Sequence, residues 1–459
     1  MSIESRIKKY ASENFNGVIH TTLNPEGPGV VRIHLIPPRF DGEHIGASVA
    51  ILNGQDIIPV GTSWTVLLCE FIKEVNKYAG RPLKDSDFDD ILKSTVKGVR
   101  KVYPFLPAKM IRKDIYDIME AFFRIAKGRP LQGEVEYLSL GEYAPMMRAP
   151  HRMDIMVSAM TKEGKWHCNQ KCVHCYAAGQ NSSDEEELST EEWKKIIDKI
   201  KDIGIPQITF TGGEPTMRDD LIELIDYAQW FVTRLNTNGI KLTKEYCCKL
   251  KEASLDSMQI TFYSSNPEIH NKLVGAERWS DTVSGIDNAL AAGLNVSINT
   301  PLCILNRNYL DTLKFLRERG IIYVTCSGLI TTGNAGTGES ERMQLSVDEI
   351  KDILRESVSY AYANGMEISF TSPGWLDPCF CDELGITMPS CGAGLSNMAV
   401  TPGGNVVPCQ SWLSDKPLGN ILRDDWNTVW NSDACKNRRD YSAKMLGLCP
   451  LRKKEVGNE

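Results

Sequence analysis

Between residues 154 and 326 the chain alternates β-rich runs with helical stretches, and this alternation restricts the fold more than any other feature. Asp154–Met160, Pro206–Thr211, Arg234–Thr237, Ser257–Tyr263, Asn295–Pro301 and Ile321–Cys326 read as strands. The capping box Ser189-x-x-Glu192 opens a helix to Ile203, and Asp219 or Asp220 caps another to Val232. Thr243–Ala253, Ser280–Ala292 and Asn308–Arg319 complete the series. Strand-then-helix order is the sign of a parallel sheet with crossover helices. No G-x-G-x-x-G follows the first run, which argues against a dinucleotide-binding sheet. The expected fold is α/β, a partial (β/α)6 TIM-like barrel with functional groups at the C-terminal strand ends.

Three motifs fall at those ends. Cys168, Cys172 and Cys175 stand at C-x3-C-x2-C in the loop after the first strand, followed by Tyr176. Three thiolates from one loop can hold three irons of a cubane cluster and leave the fourth iron to a non-protein ligand. Zinc, or three buried thiols, is the competing reading. Gly212-Gly213-Glu214-Pro215 follows the second strand: two residues without Cβ let a ligand's polar end come close, and a carboxylate can accept from an ammonium. Asn236-Thr237-Asn238-Gly239 ends the third strand. In a barrel all three converge on one mouth.

The flanking regions differ in character. Val30–Ile36, Ala47–Leu52 and Ile57–Val60 are strand-like, and Trp64–Tyr78, Asp85–Val102 and Lys113–Lys127 are helical, so residues 1–130 form an α+β binding module or a structural extension. Residues 131–152 suit a linker. After the barrel (153–345), residues 346–459 hold a helix from Ser346 to Asn364 and a cysteine-rich tail. Met398–Thr401 and Asn405–Val407 flank Pro402-Gly403-Gly404 as a hairpin. Cys379, Cys381, Cys391, Cys409, Cys435 and Cys449 crowd this tail, and such clustering suggests metal. A chain without a signal-peptide pattern is expected in a reducing cytosol, which opposes a disulfide framework of its 14 cysteines. Net charge of −7 without a basic tract argues against nucleic acid, and no apolar run is long enough to span a bilayer. The acidic run Asp184–Glu187 reads as solvated surface.

The trio, G-G-E-P one strand later and T-N-G one strand after that together resemble the radical S-adenosylmethionine (SAM) superfamily. The resemblance implies that Cys168, Cys172 and Cys175 ligate a [4Fe–4S] cluster whose open iron takes the amino and carboxylate groups of SAM. It places Gly212, Gly213 and Glu214 on the SAM amino group, Asn238 in the SAM pocket, and a hydroxyl, Thr261, on SAM. One electron would cleave SAM to methionine and a 5′-deoxyadenosyl radical that abstracts a substrate hydrogen; the electron would come from a donor such as flavodoxin or ferredoxin. Cys391-Gly392-Ala393-Gly394, Gly404, Cys409, Gly419-Asn420-Ile421 and Trp430 are similar to the SPASM/Twitch auxiliary-cluster extension of peptide maturases. The dense C-x2-C-x5-C-x3-C segment of the two-cluster form is absent, which favours one auxiliary iron–sulfur cluster over two, held by Cys391 and Cys409 with two of Cys435, Cys449, Cys379 and Cys381. Residues 28–128 resemble, in strand-then-helix order alone, the winged-helix recognition element that binds a precursor's leader peptide by strand addition.

The expected activity is therefore modification of a ribosomally made precursor peptide. A small-molecule radical SAM dehydrogenase or cofactor-biosynthesis enzyme is the alternative, and a non-catalytic iron–sulfur or zinc scaffold or sensor is the third reading. Cys303 and Tyr263, near the mouth, are candidates to contact substrate or donate a hydrogen atom, with a core thiol the competing reading for Cys303. His174 is expected near the cluster or exposed rather than as a ligand.

Overall fold

The computed structural model describes residues 2–15, 19–23, 31–37, 48–52, 56–78, 81, 83–126, 147–444 and 448–452. The chain divides into two compact units, Met1–Met147 and Arg148–Glu459. Most of the predicted linker lies outside the described residues, as do Val30, Ala47 and Lys127, at the ends of predicted elements.

The first unit opens with a helix, Ile3–Asn14, in addition to the three predicted ones. Four antiparallel strands follow: β1 (Ile19–Leu23), β2 (Val31–Ile36), β3 (Ser48–Leu52) and β4 (Asp56–Val60), in that sheet order. β1 is an addition to the three predicted runs. Helices Thr62–Asn76, Asp85–Val102 and Ala108–Ala126 then cover one face. Ile33, Leu35, Ala50 and Leu52 meet Leu68, Ile72, Ile91 and Ile111 in one core, where alternate strand residues face helix residues three and four apart. Cys69 is part of that core.

The second unit holds β5 (Arg152–Ser158), a two-stranded hairpin of β6 (Thr161–Lys162) and β7 (Lys165–Trp166), then β8 (Gln207–Gly212), β9 (Val232–Thr237), β10 (Ser257–Thr261), β11 (Val296–Pro301) and β12 (Tyr323–Ser327). β13 (Glu367–Phe370), β14 (Asn397–Val400), β15 (Asn405–Val407) and β16 (Gly419–Asn420) follow. One sheet runs β13-β12-β11-β10-β9-β8-β5-β14-β15-β16, parallel from β13 to β14 and antiparallel beyond. The predicted six-stranded arc is thus extended at both edges. β13 follows the helix Val347–Ala363, one further strand–helix–strand repeat that is short enough to pass for loop. β14 belongs to the predicted cysteine-rich hairpin, yet it pairs with β5, so the tail shares the barrel's sheet.

Crossover helices bury one stripe each. In Thr190–Ile203 the inward residues are Trp193, Ile196, Ile197 and Ile200, and Ser189 and Glu192 form the predicted reciprocal cap. The next helix stops at Tyr227, and β9 starts at Val232, earlier than predicted. A helix capped by Asn266, Pro267–Val274, was not anticipated. Its last turn meets the cysteine loop: Val274 and Leu273 carbonyls accept from the Lys171 (3.0 Å) and Val173 (3.0 Å) amides. Among the described residues no helix is long and apolar enough to cross a membrane.

The acidic run is not merely solvated. Glu185 accepts from the Thr401 hydroxyl, the Gly403 amide (3.1 Å) and the Asn405 carboxamide (3.0 Å), holding the β14–β15 turn. Glu187 accepts from the Ala159 amide (2.9 Å) directly after β5. A carboxylate that accepts several N–H and O–H groups has a structural role that a charge run hides from a sequence reader. Asp184 and Glu186 remain exposed.

Candidate active site

At the C-terminal ends of the parallel strands lies a cavity of about 350 Å³. Cys168, Cys172, Cys175, Gly212, Gly213, Glu214, Asn238 and Thr261 all line it, so the structure gathers the predicted motifs on one chamber.

Packing explains the glycines. Gly212 has φ +139°, and a Cβ there would meet the Ser158 carbonyl oxygen at 2.2 Å. A Cβ on Gly213 would meet the Ala159 carbonyl oxygen at 2.8 Å, and the Gly213 amide donates to the Ser158 carbonyl at 2.7 Å. The space lacking side chains thus admits the end of β5, immediately ahead of the cysteine loop, more than it admits a ligand.

Glu214 is buried and its carboxylate is fully engaged. One oxygen accepts from the Thr216 amide (3.1 Å), the Thr216 hydroxyl (2.6 Å) and the Thr237 hydroxyl (2.7 Å); the other accepts from the Asn238 amide (2.8 Å). Burial raises its pKa, and those four donors oppose the rise. Asn238 in turn donates from its carboxamide to Asn169 (2.6 Å), inside the cysteine loop, and its carbonyl accepts from the Thr282 hydroxyl (3.1 Å). Glu214 and Asn238 therefore act as a chain of clamps from β8 through β9 to the loop.

The three loop thiols are close enough to perturb one another. Burial pushes Cys168 up to about 12, with Glu214 and Cys175 adding to the rise, and raises Cys172 and Cys175 as well. Anionic sulfur is costly there unless a cation joins it, which suits a metal cluster that binds thiolates. Among the described residues no three His, Cys, Asp or Glu side chains gather as the ligands of one metal ion. A cubane spreads its ligands round a larger body, and three cysteines on the wall of an open chamber fit that better than zinc, which needs four on one point. His174, between Cys172 and Cys175, is buried with both ring nitrogens lacking a hydrogen-bond partner, and burial lowers it to about 4. His174 and Asn236 both line the chamber, with these unpartnered atoms buried in its wall. Tyr263 also lines the chamber, 4.9 Å from the His174 ring. Cys303 does not: it is fully buried in an apolar cluster with Leu273, Val274 and Leu329, behind Tyr263.

The tail cysteines separate into groups. Cys391 and Cys449 both perturb Cys409, which burial pushes up to about 12, so these three lie together. Arg438, stacked on Trp412 at 3.6 Å, is near Cys391, and the Ser411 amide donates to Cys409 Sγ (3.5 Å). Cys435 is elsewhere engaged: its Sγ accepts from Arg439 at 3.5 Å, and that guanidinium stacks on Trp430 at 3.9 Å. Cys379 is exposed and Cys381 buried on the helix Pro378–Leu384, where Asp377, Asp382 and Lys351 are the charges that reach Cys381. Tyr176 spans the two thiol groups, within range of both Cys175 and Cys409. Cys449 and Arg452 line the same chamber as the loop cysteines. Nothing in the sequence motifs marked Arg452 or Trp375; a basic residue three positions beyond a candidate ligand was the one available signal.

Comparison with known proteins agrees with this geometry. Residues 167–318 match the family profile of the radical SAM superfamily, and residues 391–451 match an iron–sulfur cluster-binding domain, SPASM. The chain thus carries a radical SAM domain and a SPASM domain. It is an enzyme, with SAM and [4Fe–4S] clusters as cofactors. It is 29% identical over 305 residues to mycofactocin maturase MftC of Mycolicibacterium smegmatis, covering 63% of this chain and 74% of that one. Fe-coproporphyrin III synthase of Methanosarcina barkeri is 40% identical over 205 residues, 43% of this chain and 51% of the other. The fold is shared with Streptococcus suis SuiB, solved bound to precursor peptide SuiA, at TM-score 0.58 and 14% identity over 85% of this chain and 86% of that one.

Proposed function

We propose that this radical SAM enzyme modifies a ribosomally synthesised peptide, forming a cross-link or epimerising a residue, with the first unit binding the leader segment. The observation that carries this reading is the extent of the SuiB likeness. At 85% of the chain it covers more than the second unit alone could supply, so part of the first unit shares that fold too. A small antiparallel sheet backed by helices is a platform that an extended peptide can lengthen by strand addition. The kinship with MftC supports the same assignment.

In this reading Cys168, Cys172 and Cys175 hold the cluster that takes SAM. Once SAM is bound and an electron arrives from a flavodoxin or ferredoxin, the cofactor supplies a 5′-deoxyadenosyl radical for hydrogen abstraction. The chain's own task is positioning. Gly212 and Gly213 let β8 lie against β5, Glu214 fixes Asn238, and Asn238 fixes the loop, so that SAM's polar end meets a preset wall. Thr261 and Asn238 present polar atoms to SAM, and the buried walls exclude water from a reactive species. Cys391, Cys409 and Cys449 hold one auxiliary cluster, with Cys435, Cys379 and Cys381 outside its ligand set.

A second reading, a small-molecule substrate such as an iron tetrapyrrole, is supported by the 40% identity to Fe-coproporphyrin III synthase. Two experiments separate the possibilities. Anaerobic, dithionite-reduced protein should form 5′-deoxyadenosine from SAM, and Cys172→Ala should not; equal, absent product from both ends the radical SAM reading of this chamber. Deleting residues 1–130 should abolish binding of a precursor peptide encoded beside this chain. Unchanged peptide binding would remove the recognition role, and turnover of a small molecule by the shortened chain would favour the second reading.

A further inference from the structure

The cysteine loop is held by a segment that no sequence motif marks. After β12 the chain runs as a strap, 331–340, that takes the loop's carbonyls one after another. The Asn334 amide donates to the Cys175 carbonyl (2.9 Å), and the Asn334 carboxamide donates to the Cys172 carbonyl (3.3 Å). The Ser340 hydroxyl donates to the Val173 carbonyl (2.5 Å), and the Thr332 hydroxyl to the Tyr176 carbonyl (3.4 Å). Gly333 has φ +56°, and a Cβ there would meet the Tyr176 and Cys175 carbonyl oxygens at 2.4 and 2.5 Å, so strap and loop are in direct contact. The amides of Lys171 and Val173 go to a different element, the helix Pro267–Val274. The loop is thus gripped from two sides, and Asn334 holds the carbonyls of two of its three candidate ligands.

Those bonds bear on charge as well as on shape. A carbonyl oxygen is the negative end of a dipole, and the Cys172 and Cys175 carbonyls each belong to the same residue as a sulfur that would bind iron. Reduction adds negative charge to a cluster, so a nearby carbonyl without a donor opposes it, and a donor on that carbonyl favours it. The strap also aims an amide. The Tyr176 carbonyl and the Ala177 N–H lie in one planar peptide unit and point opposite ways. With the carbonyl held by Thr332 and by the Gln180 carboxamide (2.5 Å), the Ala177 N–H reaches Cys175, where it opposes the rise in the thiol's pKa.

We propose that Asn334 is a positioning residue for the radical SAM reaction: by bonding the Cys172 and Cys175 carbonyls it raises the reduction potential of the cluster on this loop. The step concerned takes one electron from the donor protein, which is oxidised, and adds it to the cluster; no bond is made or broken. The inference rests on the reading that Cys168, Cys172 and Cys175 hold the SAM-binding cluster.

The test is an anaerobic redox titration of the full-length, iron-replete protein, followed by electron paramagnetic resonance of the signal component that changes when SAM is added. Asn334→Leu removes the carboxamide donor at similar volume, and should leave about threefold less of that cluster reduced at a fixed potential. Asn334→Asp also places a carboxylate beside the two carbonyls, and should leave about tenfold less, a shift of roughly 59 mV for one electron. Iron content is measured first, and if Asn334→Asp loses iron the result is read from Asn334→Leu. Iron loss from both variants would make Asn334 a structural prop and overturn the proposal. Unchanged potentials, a fall in Asn334→Leu as large as in Asn334→Asp, or a shift confined to the component that ignores SAM would overturn it too. A wild-type signal with no component that responds to SAM would instead remove the underlying reading of the loop.

Discussion

Glu214→Gln exchanges one carboxylate oxygen for an NH2 group and leaves volume almost unchanged, so its effect isolates the clamp between β8 and β9. In the wild type one oxygen takes three donors and the other takes the Asn238 amide at 2.8 Å. If the Gln carbonyl occupies the three-donor side, its NH2 opposes the Asn238 N–H; in the flipped orientation the NH2 opposes the Thr216 N–H. The hydroxyls of Thr216 and Thr237 can rotate, but a backbone amide cannot. In either orientation one buried N–H is orphaned, at about 1–3 kcal/mol, and the charge-assisted strength of the remaining bonds is lost. Thermal unfolding should therefore begin several degrees lower. To the extent that the Asn238 turn relaxes instead, the same energy appears as weaker SAM binding, up to roughly 100-fold. Differential scanning fluorimetry and SAM titration on iron-replete protein measure both. Thr237→Val is the companion variant: it leaves the carboxylate intact, removes one donor to it, and takes the acceptor from the Gly239 amide (3.1 Å). The clamp predicts losses in both variants. If Glu214→Gln weakens SAM binding with stability untouched and Thr237→Val changes neither quantity, the carboxylate acts on SAM directly and the clamp reasoning fails.

Cys449→Ala should remove the iron and the electron paramagnetic resonance signal of the auxiliary cluster, whereas Cys435→Ala should retain both; iron analysis that ranks them the other way refutes the Cys391, Cys409, Cys449 trio. Gly212→Ala puts a Cβ 2.2 Å from the Ser158 carbonyl oxygen at a φ that side chains rarely adopt, so β8 or the end of β5 must shift. Backbone strain of about 1–3 kcal/mol and poor incorporation of the SAM-binding cluster should follow, measured as iron per chain. Glu185→Ala should lower stability by about 2–4 kcal/mol in chemical denaturation, through two orphaned N–H donors and one hydroxyl at the β14–β15 turn. Glu186→Ala, one residue further along the same acidic run, should leave the curve unchanged.

Much of the chamber was legible because its parts obey local rules. The strand–helix periodicity, the Ser189 and Ser346 capping boxes and the turn at Pro402-Gly403-Gly404 are set by neighbours in sequence, and each stands where expected. Cysteine spacing placed Cys168, Cys172 and Cys175 on one loop for the same reason. What escaped depends on partners far along the chain. The four residues of β13 carry too little periodicity to announce a strand, and their assignment comes from pairing with β12. Glu185 reads as surface charge until the turn 216 residues later folds onto it. The bonds of Glu214 to Thr216, Thr237 and Asn238 were equally hidden: a carboxylate's oxygens are visible in sequence, and the donors that fold onto them are not.

The segment 448–452 gives the two halves of the enzyme a common boundary. Cys449 belongs with Cys391 and Cys409, which are carried by the loop before β14 and by the chain after β15. Arg452 stacks on Trp375, which follows β13. β14 and β13 are the two ends of the parallel arc, so a few residues of tail close the gap that an incomplete barrel leaves between its edge strands. A full barrel would seal that gap with strand pairing and leave no room for a second thiol cluster at the chamber wall. Here the opening is filled by a short peptide whose holds include the hydroxyl bond from Thr331, the stacked Arg452 guanidinium and, in the proposed holoenzyme, the Cys449 thiolate. Loading the auxiliary site then does more than add redox capacity. It should tie down the segment 448–452 on the chamber wall, so occupancy of that site and the order of this segment should rise and fall together.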